Sequence, residues 1–305
     1  MSVIQIFKRN GKSGFGYGST AEEVTKDLSL QGKSILVTGC NSGLGYETAR
    51  VLSLRGAQVI GTARTLDKAR TALQQLEGQV VPFECELSEP ASVRTCLENI
   101  QKAGLKFDAL ICNAGIMALP KLEQAHGLEL QFFTNHIGHF MLVTGLLKQL
   151  KEQGRVVMLS SSAHQMAPRG GIDFDNLSGE KHYRDWTAYG QSKMANLLFS
   201  KELARRLKGT SQTANAVHPG VINTNLGRHM SSVARSVMGV VGPLVLKTTE
   251  QGASTQVFAA VHPSVASVSG EYFADCNVQT PRTDAENPDL AKRLWEKSEE
   301  IVAKL

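Results

Sequence analysis

The chain has 305 residues and a formal charge of +5, from 33 Lys and Arg against 28 Asp and Glu, and it is 42% hydrophobic with 28 Gly and 9 Pro. This composition excludes collagen-like and disordered classes, and without a dense basic block it gives no reason to expect nucleic-acid binding. Length alone gives a prior of about two domains, although an α/β chain of this size often folds as one.

In chain order, a basic extension comes first: Lys8, Arg9 and Lys12 precede the first acidic residue, Glu22. Its apolar start "SVIQIF" is too short for a secretory core, and an ordinary tail is expected over residues 1–30 in preference to an organellar transit signal. "KSILVTG" (33–39) then reads as a buried strand. A helix is predicted from Gly43 to Arg55, with Gly56 at the C′ position. "AQVIGTAR" reads as a second strand, and a third precedes "ECEL". Ser88 and Pro90 open a helix to about Lys102. The strand "FDALICNAG" follows, then a long apolar-faced helix around Glu129 to Leu150, the strand "GRVVMLSSS", and a helix from about Thr187 to Lys208. "TANAVHPG", a helix near Glu250 to Val261, and "GEYFAD" complete the series. Strands alternating with helices require crossover connections, so an α/β fold is expected: a doubly wound parallel sheet, helices on both faces, in a single domain over 31–280. Two segments break the rhythm, 165–186 and 226–247, and both follow strand ends, where lids over a ligand crevice belong. Residues 281–305 read as a C-terminal helix or tail.

The five cysteines (Cys40, Cys85, Cys96, Cys112, Cys276) are scattered, with no metal-ligand spacing, and read as reduced, mostly buried thiols. No metal site is expected. The longest apolar run, Val237 to Leu246, is far below the roughly 20 residues of a membrane span.

"TGCNSGLG" (38–45) lies between the first strand and its helix. Glycines there let backbone approach a pyrophosphate, while the helix N-terminus supplies free N–H groups. The spacing G-x-x-x-G-x-G differs from the commoner G-x-G-x-x-G. Where NAD-binding units carry an acidic residue after the second strand, this chain has Arg64, with Lys68 close behind, and a guanidinium suits a ribose 2′-phosphate, so NADP(H) is expected. In "AYGQSKMAN", Tyr189 and Lys193 share a helix face. An ammonium beside a phenol is expected to lower its pKa and fit it for general acid or base work. Ser160, Ser161 and Ser162 close a strand at the same edge, where a hydroxyl could donate to a carbonyl oxygen; faces alternate, so not all three point inward. "CNAG" ends another strand with small residues, and the amide of Asn135, in the helix after it, is expected to hold a water.

In this order the motifs resemble the short-chain dehydrogenase/reductase family over about 33–275: T-G-x-x-x-G-x-G, N-A-G at 113–115, Asn135, the strand-end serine, Y-x-x-x-K at 189–193, and P-G at 219–220. "STAEEVT", "TNHIGHF", "HPGVINTNLGR" and "SGEYF" are similar to its retinol-dehydrogenase-like branch, which includes chloroplast translocon-associated members. The resemblance implies a Rossmann-like domain and NADP(H)-dependent hydride transfer between an alcohol and an apolar carbonyl. It implies catalytic roles for Tyr189, Lys193, Ser161 (Ser162 as the alternative) and Asn135. For the cofactor it implies Gly39, Asn41, Ser42, Gly43, Leu44, Gly45, Arg64, Glu86, Leu87, Asn113, Ala114, Gly115, Pro219, Gly220, Ile222 and Thr224, together with Tyr189 and Lys193. Glu86 stands where the family usually has Asp, and Cys112 where it has Asn. A small apolar substrate is the expected partner, and a homodimer or a peripheral membrane contact is compatible with the pattern. A cytoplasmic location is expected, with a plastid or other organelle as the alternative. A competing function is NADP(H) sensing by a regulatory protein bound to a membrane complex.

Overall fold

A computed structural model describes residues 9–222 and 246–305. Its centre is an eight-stranded sheet built from β1 (Ser34–Thr38), β2 (Gln58–Ala63), β3 (Val80–Glu84), β4 (Phe107–Cys112), β7 (Leu150–Leu159), β8 (Thr213–His218), β9 (Tyr272–Ala274) and β10 (Asn277–Val278). The spatial order is β10-β9-β8-β7-β4-β1-β2-β3, every neighbouring pair parallel except the antiparallel β9/β10 edge. The order reverses between β1 and β4, and the crevice at such a switch point is where open α/β sheets take ligands. A separate hairpin joins β5 (Gln124–Ala125) to β6 (Leu128–Glu129), turning through His126 and Gly127, both at positive φ.

Alternation along each strand divides the core into two layers. Leu36, Leu110, Val156 and Met158 face one layer, where they meet α3 (Pro90–Lys102), α4 (Gly138–Leu146), α5 (Asp185–Arg206) and α7 (Pro288–Ala303). Ile35, Val37, Ile111 and Val157 face the other, against α1 (Gly43–Leu54), α2 (Leu66–Leu73) and α6 (Thr249–Val261). The single-domain doubly wound expectation therefore holds. Residues from the basic extension join the second layer: Ala21, Val24 and Leu30 are buried there, Ala21 N–H donates to Glu250 O at 2.9 Å, and Phe15 packs edge-on to Phe258 at 5.8 Å.

Several elements differ from the sequence reading, including the β5/β6 hairpin and the antiparallel edge strand β10, neither of which was foreseen. The long helix around 129–150 is interrupted: Glu129 caps a short turn, Phe133–Ile137 is a π-turn, α4 ends at Leu146, and Leu150 already belongs to β7. The β4/β7 register shifts between Phe107 and Ala109, so regular pairing starts at Arg155, close to the strand start read from the sequence. α2 was not foreseen; Thr65 caps it by accepting from Lys68 N–H at 3.4 Å. The insertion 226–247 and Thr224 lie outside the described residues except for Leu246 and Lys247. Among the described residues no helix is long and apolar enough to cross a membrane.

Candidate active site

Parallel pairing brings the carboxyl ends of β1, β4, β7 and β8 to one edge, so Thr38, Cys112, Leu159 and His218 hand over to the Gly39 turn, Asn113–Gly115, Ser160–Ser162 and Pro219–Gly220 along a common rim. The glycine turn is shaped by backbone demands. Gly39 has φ +68° and Gly43 φ +54°, a region open to glycine at little cost. A Cβ on Gly39 would lie 3.1 Å from Ala114, and one on Gly45 would lie 2.5 Å from Asn113 Nδ2. β1, β4 and α1 are therefore packed backbone to backbone. Ser42, at the N-cap of α1, makes no capping bond, and Asn41, Ser42 and Gly43 are exposed. Free N–H groups and a hydroxyl thus face the rim, suited to an anion.

Beyond the turn, a groove of about 490 Å³ runs between α1 and α2, lined by Asn41, Ser42, Tyr46, Asp67, Lys68 and Gln75 among others. Asp67 pairs with Arg70 at 3.8 Å. Arg64 is exposed just after β2 and is not part of the lining, so Lys68 is the groove's cation. The Glu86 carboxylate accepts from Ser88 N–H and Oγ–H at 3.2 and 2.9 Å, while Leu87 is buried with its carbonyl against Gly138. Ile222 and Leu44 converge on Gly252, whose missing Cβ makes room for both, and Gly220, at φ +101°, leaves room for the stem of Lys247. A larger hollow of about 700 Å³ opens at the amino-terminal edge of the strands, between Lys33, Asp108, Lys151 and Thr213, and holds none of the motif residues. The chemistry sits at the rim, where the side chains converge.

Alternation separates the three serines. Ser160 points into the core, donating to Lys193 O at 2.8 Å, and Ser162 is exposed. Ser161 lies between them; its Oγ accepts from Ala163 N–H at 3.2 Å and is close enough to the Tyr189 phenol to lower its pKa. Tyr189 and Lys193 share one face of α5, with Nζ 5.5 Å from the centre of the phenol ring. The electrostatics differ from the sequence expectation. Burial pushes the Tyr189 phenol up to about 12, and the Ser161 hydroxyl offsets this only in part. Burial pulls Lys193 down to about 8. Desolvation therefore governs both groups, each being held toward its neutral form. Lys193 Nζ donates to Leu159 O at 3.2 Å, which leaves two of its three protons for a ligand.

Asn135 is more fully engaged within the protein than its sequence context suggested. Its amide protons are both engaged, with Ile116 O and Ser192 Oγ at 2.9 Å each, and Oδ1 accepts from Ile116 N–H at 2.8 Å. One lone pair on Oδ1 is all the amide retains for a water. The side chain pins the segment after β4 to α5. Gly115 lies within this contact, since a Cβ there would come 3.0 Å from Asn135 Oδ1 and 3.4 Å from Lys193 Nζ. Sequence reasoning missed the polar residues behind the rim: Thr38, His139, Ser192, Asn196 and Gln256 are all buried. A polar side chain inside an otherwise apolar strand or helix pattern was the available signal.

The cradle at Gly39–Gly45, the half-buried Asn113–Gly115 and the free donors of Lys193 fit the pyrophosphate and ribose of a nicotinamide dinucleotide. The short chain dehydrogenase family model matches residues 33–174. The chain is 40% identical to "Short-chain dehydrogenase TIC 32 A, chloroplastic" of Brassica napus, over 97% of this chain and 96% of that protein. It is 38% identical to "Retinol dehydrogenase 14" of Mus musculus, over 90% and 86% of the two chains. A crystal structure of an uncharacterized Mycobacterium paratuberculosis protein superposes with a TM-score of 0.75 at 34% identity, covering 94% of this chain and 98% of that one.

Proposed function

Because the chain belongs to the short-chain dehydrogenase family, an oxidoreductase family that uses nicotinamide cofactors, we propose that it interconverts an alcohol and an apolar carbonyl with NADP(H). The observation that carries the reading is the convergence of Ser161, Tyr189 and Lys193 beside a glycine turn built for close backbone approach. The exposed start of α1, at Ser42 and Gly43, would hold the pyrophosphate. Lys193 would take the nicotinamide ribose with its two free protons, and Asn113–Gly115 would lie along the ring. Arg64 and Lys68, with Asp67 turned to Arg70, favour a 2′-phosphate over a 2′-hydroxyl. When bound, the nicotinamide supplies or accepts the hydride.

The protein's part is the proton and the oxygen. In the reducing direction the Ser161 hydroxyl donates to the substrate carbonyl oxygen, and Tyr189 gives its proton to that oxygen as the alcohol forms. In the oxidising direction Tyr189 takes it back. A neutral phenol held well above the working pH suits the donor role; the positive charge of Lys193 together with a bound cofactor is what must bring it down for the reverse. The retinol dehydrogenase relative and the exposed Trp186 and Met166 near Tyr189 support an apolar substrate. The chloroplastic relative supports a plastid over the cytoplasmic location first expected.

The test is a panel of retinoids, steroids, aliphatic aldehydes and quinones, each assayed with NADPH and with NADH. NADPH-dependent turnover of at least one carbonyl, lost in Tyr189→Phe with NADPH binding intact, is the expected result. Turnover that survives Tyr189→Phe would overturn the assignment.

A further inference from the structure

Behind the rim runs a set of buried hydrogen bonds that the reaction chemistry does not use. Thr38 is the last residue of β1 and fully buried; alternation places it on the layer facing α4. Its hydroxyl oxygen accepts from Ala114 N–H at 2.9 Å and lies 2.9 Å from His139 Nε2. His139 Nδ1, on the far side of the ring, lies 2.9 Å from the main-chain carbonyl of Asn135. For a neutral ring these contacts admit a single tautomer. A carbonyl only accepts, so Nδ1 carries the proton; Nε2 is then an acceptor and takes the Thr38 hydroxyl proton, which Ala114, a donor, leaves free. The ring is fully buried, and burial holds it neutral, pulled down to about 4.

We propose that His139 is a positioning residue that couples the cofactor-binding turn to the helix carrying Asn135. The proposal rests on the reaction assigned above but names a residue outside the reacting groups. Both ends of the imidazole are anchored in functional elements. Thr38 immediately precedes Gly39, and its carbonyl accepts from Asn113 Nδ2 at 2.8 Å. Asn135 donates to Ser192 Oγ, and Ser192 donates to Tyr189 O at 2.7 Å. The connected path is Ala114, Thr38, His139, Asn135, Ser192, Tyr189, buried throughout except at the half-buried Ala114. Asn135 also sits in the π-turn Phe133–Ile137, where helix bonding changes register and functional residues often lie. A side chain that donates to a carbonyl in such a turn fixes where the turn sits. Its other bond fixes that position relative to the strand bearing the glycines.

Two substitutions divide the ring's roles. His139→Gln keeps an acceptor within reach of Thr38 and loses the donor to Asn135; His139→Asn does the reverse. Thr38→Val removes only the hydroxyl, with Thr38→Ser as its rescue, and serves if a histidine variant fails to fold. Turnover and cofactor binding are measured alongside hydrogen–deuterium exchange of residues 130–146 with and without NADPH. The expected result is a fall in kcat of about tenfold or more in His139→Gln and Thr38→Val, with the Kd for NADPH within about threefold of the wild type. NADPH should slow exchange in 130–146 of the wild type and of Thr38→Ser, but not of His139→Gln or Thr38→Val. Variants with full kcat and the same NADPH-induced protection as wild type, differing only in melting temperature, would overturn the proposal. If the wild type turns over no carbonyl, the assigned reaction fails, while the exchange measurement still decides whether His139 couples the two elements.

Discussion

An alanine at Gly45 would place its Cβ 2.5 Å from Asn113 Nδ2 and 2.8 Å from the carbonyl carbon of Gly39, with the Gly39 oxygen nearer still. Ordinary contact begins near 3.4 Å, so something must retreat by about 1 Å. β1 cannot, because it is paired with β2 on one side and β4 on the other. Asn113 is held by its bond to Thr38 O and by Gln256 Nε2, 3.2 Å from its Oδ1. The start of α1 is what moves, and overpacking of this kind destabilises by about 1–3 kcal/mol. Its N–H groups move with it, away from the pyrophosphate. A hydrogen bond to a charged group contributes about 1.5–3 kcal/mol, so losing one weakens NADPH binding by about 10- to 100-fold. Titration of NADPH fluorescence against Gly45→Ala, beside a thermal melt, measures both effects. A Kd within about threefold of wild type in a variant that melts normally would refute the packing argument.

Replacing Lys193 by Met should reduce kcat by at least about 100-fold, since general acid–base steps contribute 10²–10⁴; steady-state rates at saturating NADPH check this, and a loss under tenfold would contradict it. Arg64→Leu should raise the KM for NADPH by about tenfold, the worth of roughly 1.4 kcal/mol, and leave that for NADH unchanged; equal shifts for both would remove Arg64 from the 2′-phosphate site. His136 and His139 are fully buried and depressed to about 3 and about 4. Their folded pKa values lie below the unfolded 6.5, so their contribution is complete above pH 6.5 and is lost as pH falls toward 4. For His139 this amounts to about 3 kcal/mol. Urea midpoints measured from pH 7 to 4.5 should fall, less steeply in His139→Gln, and a flat profile would show that the rings are not held neutral.

Legibility in the sequence followed periodicity. β1, α1 and α3 came through near their observed ends because each carries an unbroken pattern and a Gly or Pro boundary signal: Gly56 at φ +90° closes α1, and Pro90 opens α3 as its first residue. The segment 129–150 was misread because its apolar residues continue through a turn that changes helical register; hydropathy does not report which carbonyl loses its partner. The rim was legible where chemistry depends on residue type, as at Tyr189, Lys193 and the glycines. It was not legible where it depends on distance. Ser161 was singled out by the resemblance and not by spacing, Asn135 proved to be already hydrogen-bonded, and the groove lining contains Lys68 but not the exposed Arg64 before it. The phenol pKa followed burial, which a motif does not contain.

The basic extension carries one further consequence. Ser13 N–H donates to Asn277 Oδ1 at 3.0 Å across 264 positions of sequence, and Asn277 Nδ2 returns a bond to Phe15 O, also at 3.0 Å. The first segment of the chain therefore docks on the last strand of the sheet. During synthesis, residues 13–15 lack these two bonds until β10 has emerged, although Phe15 already has Phe258 of α6 to pack on. Closure of loops this long is slow and late in folding. Ser13 and Phe15 therefore gain their bonds to Asn277 only at a late stage of synthesis, after nearly all of the sheet has been made.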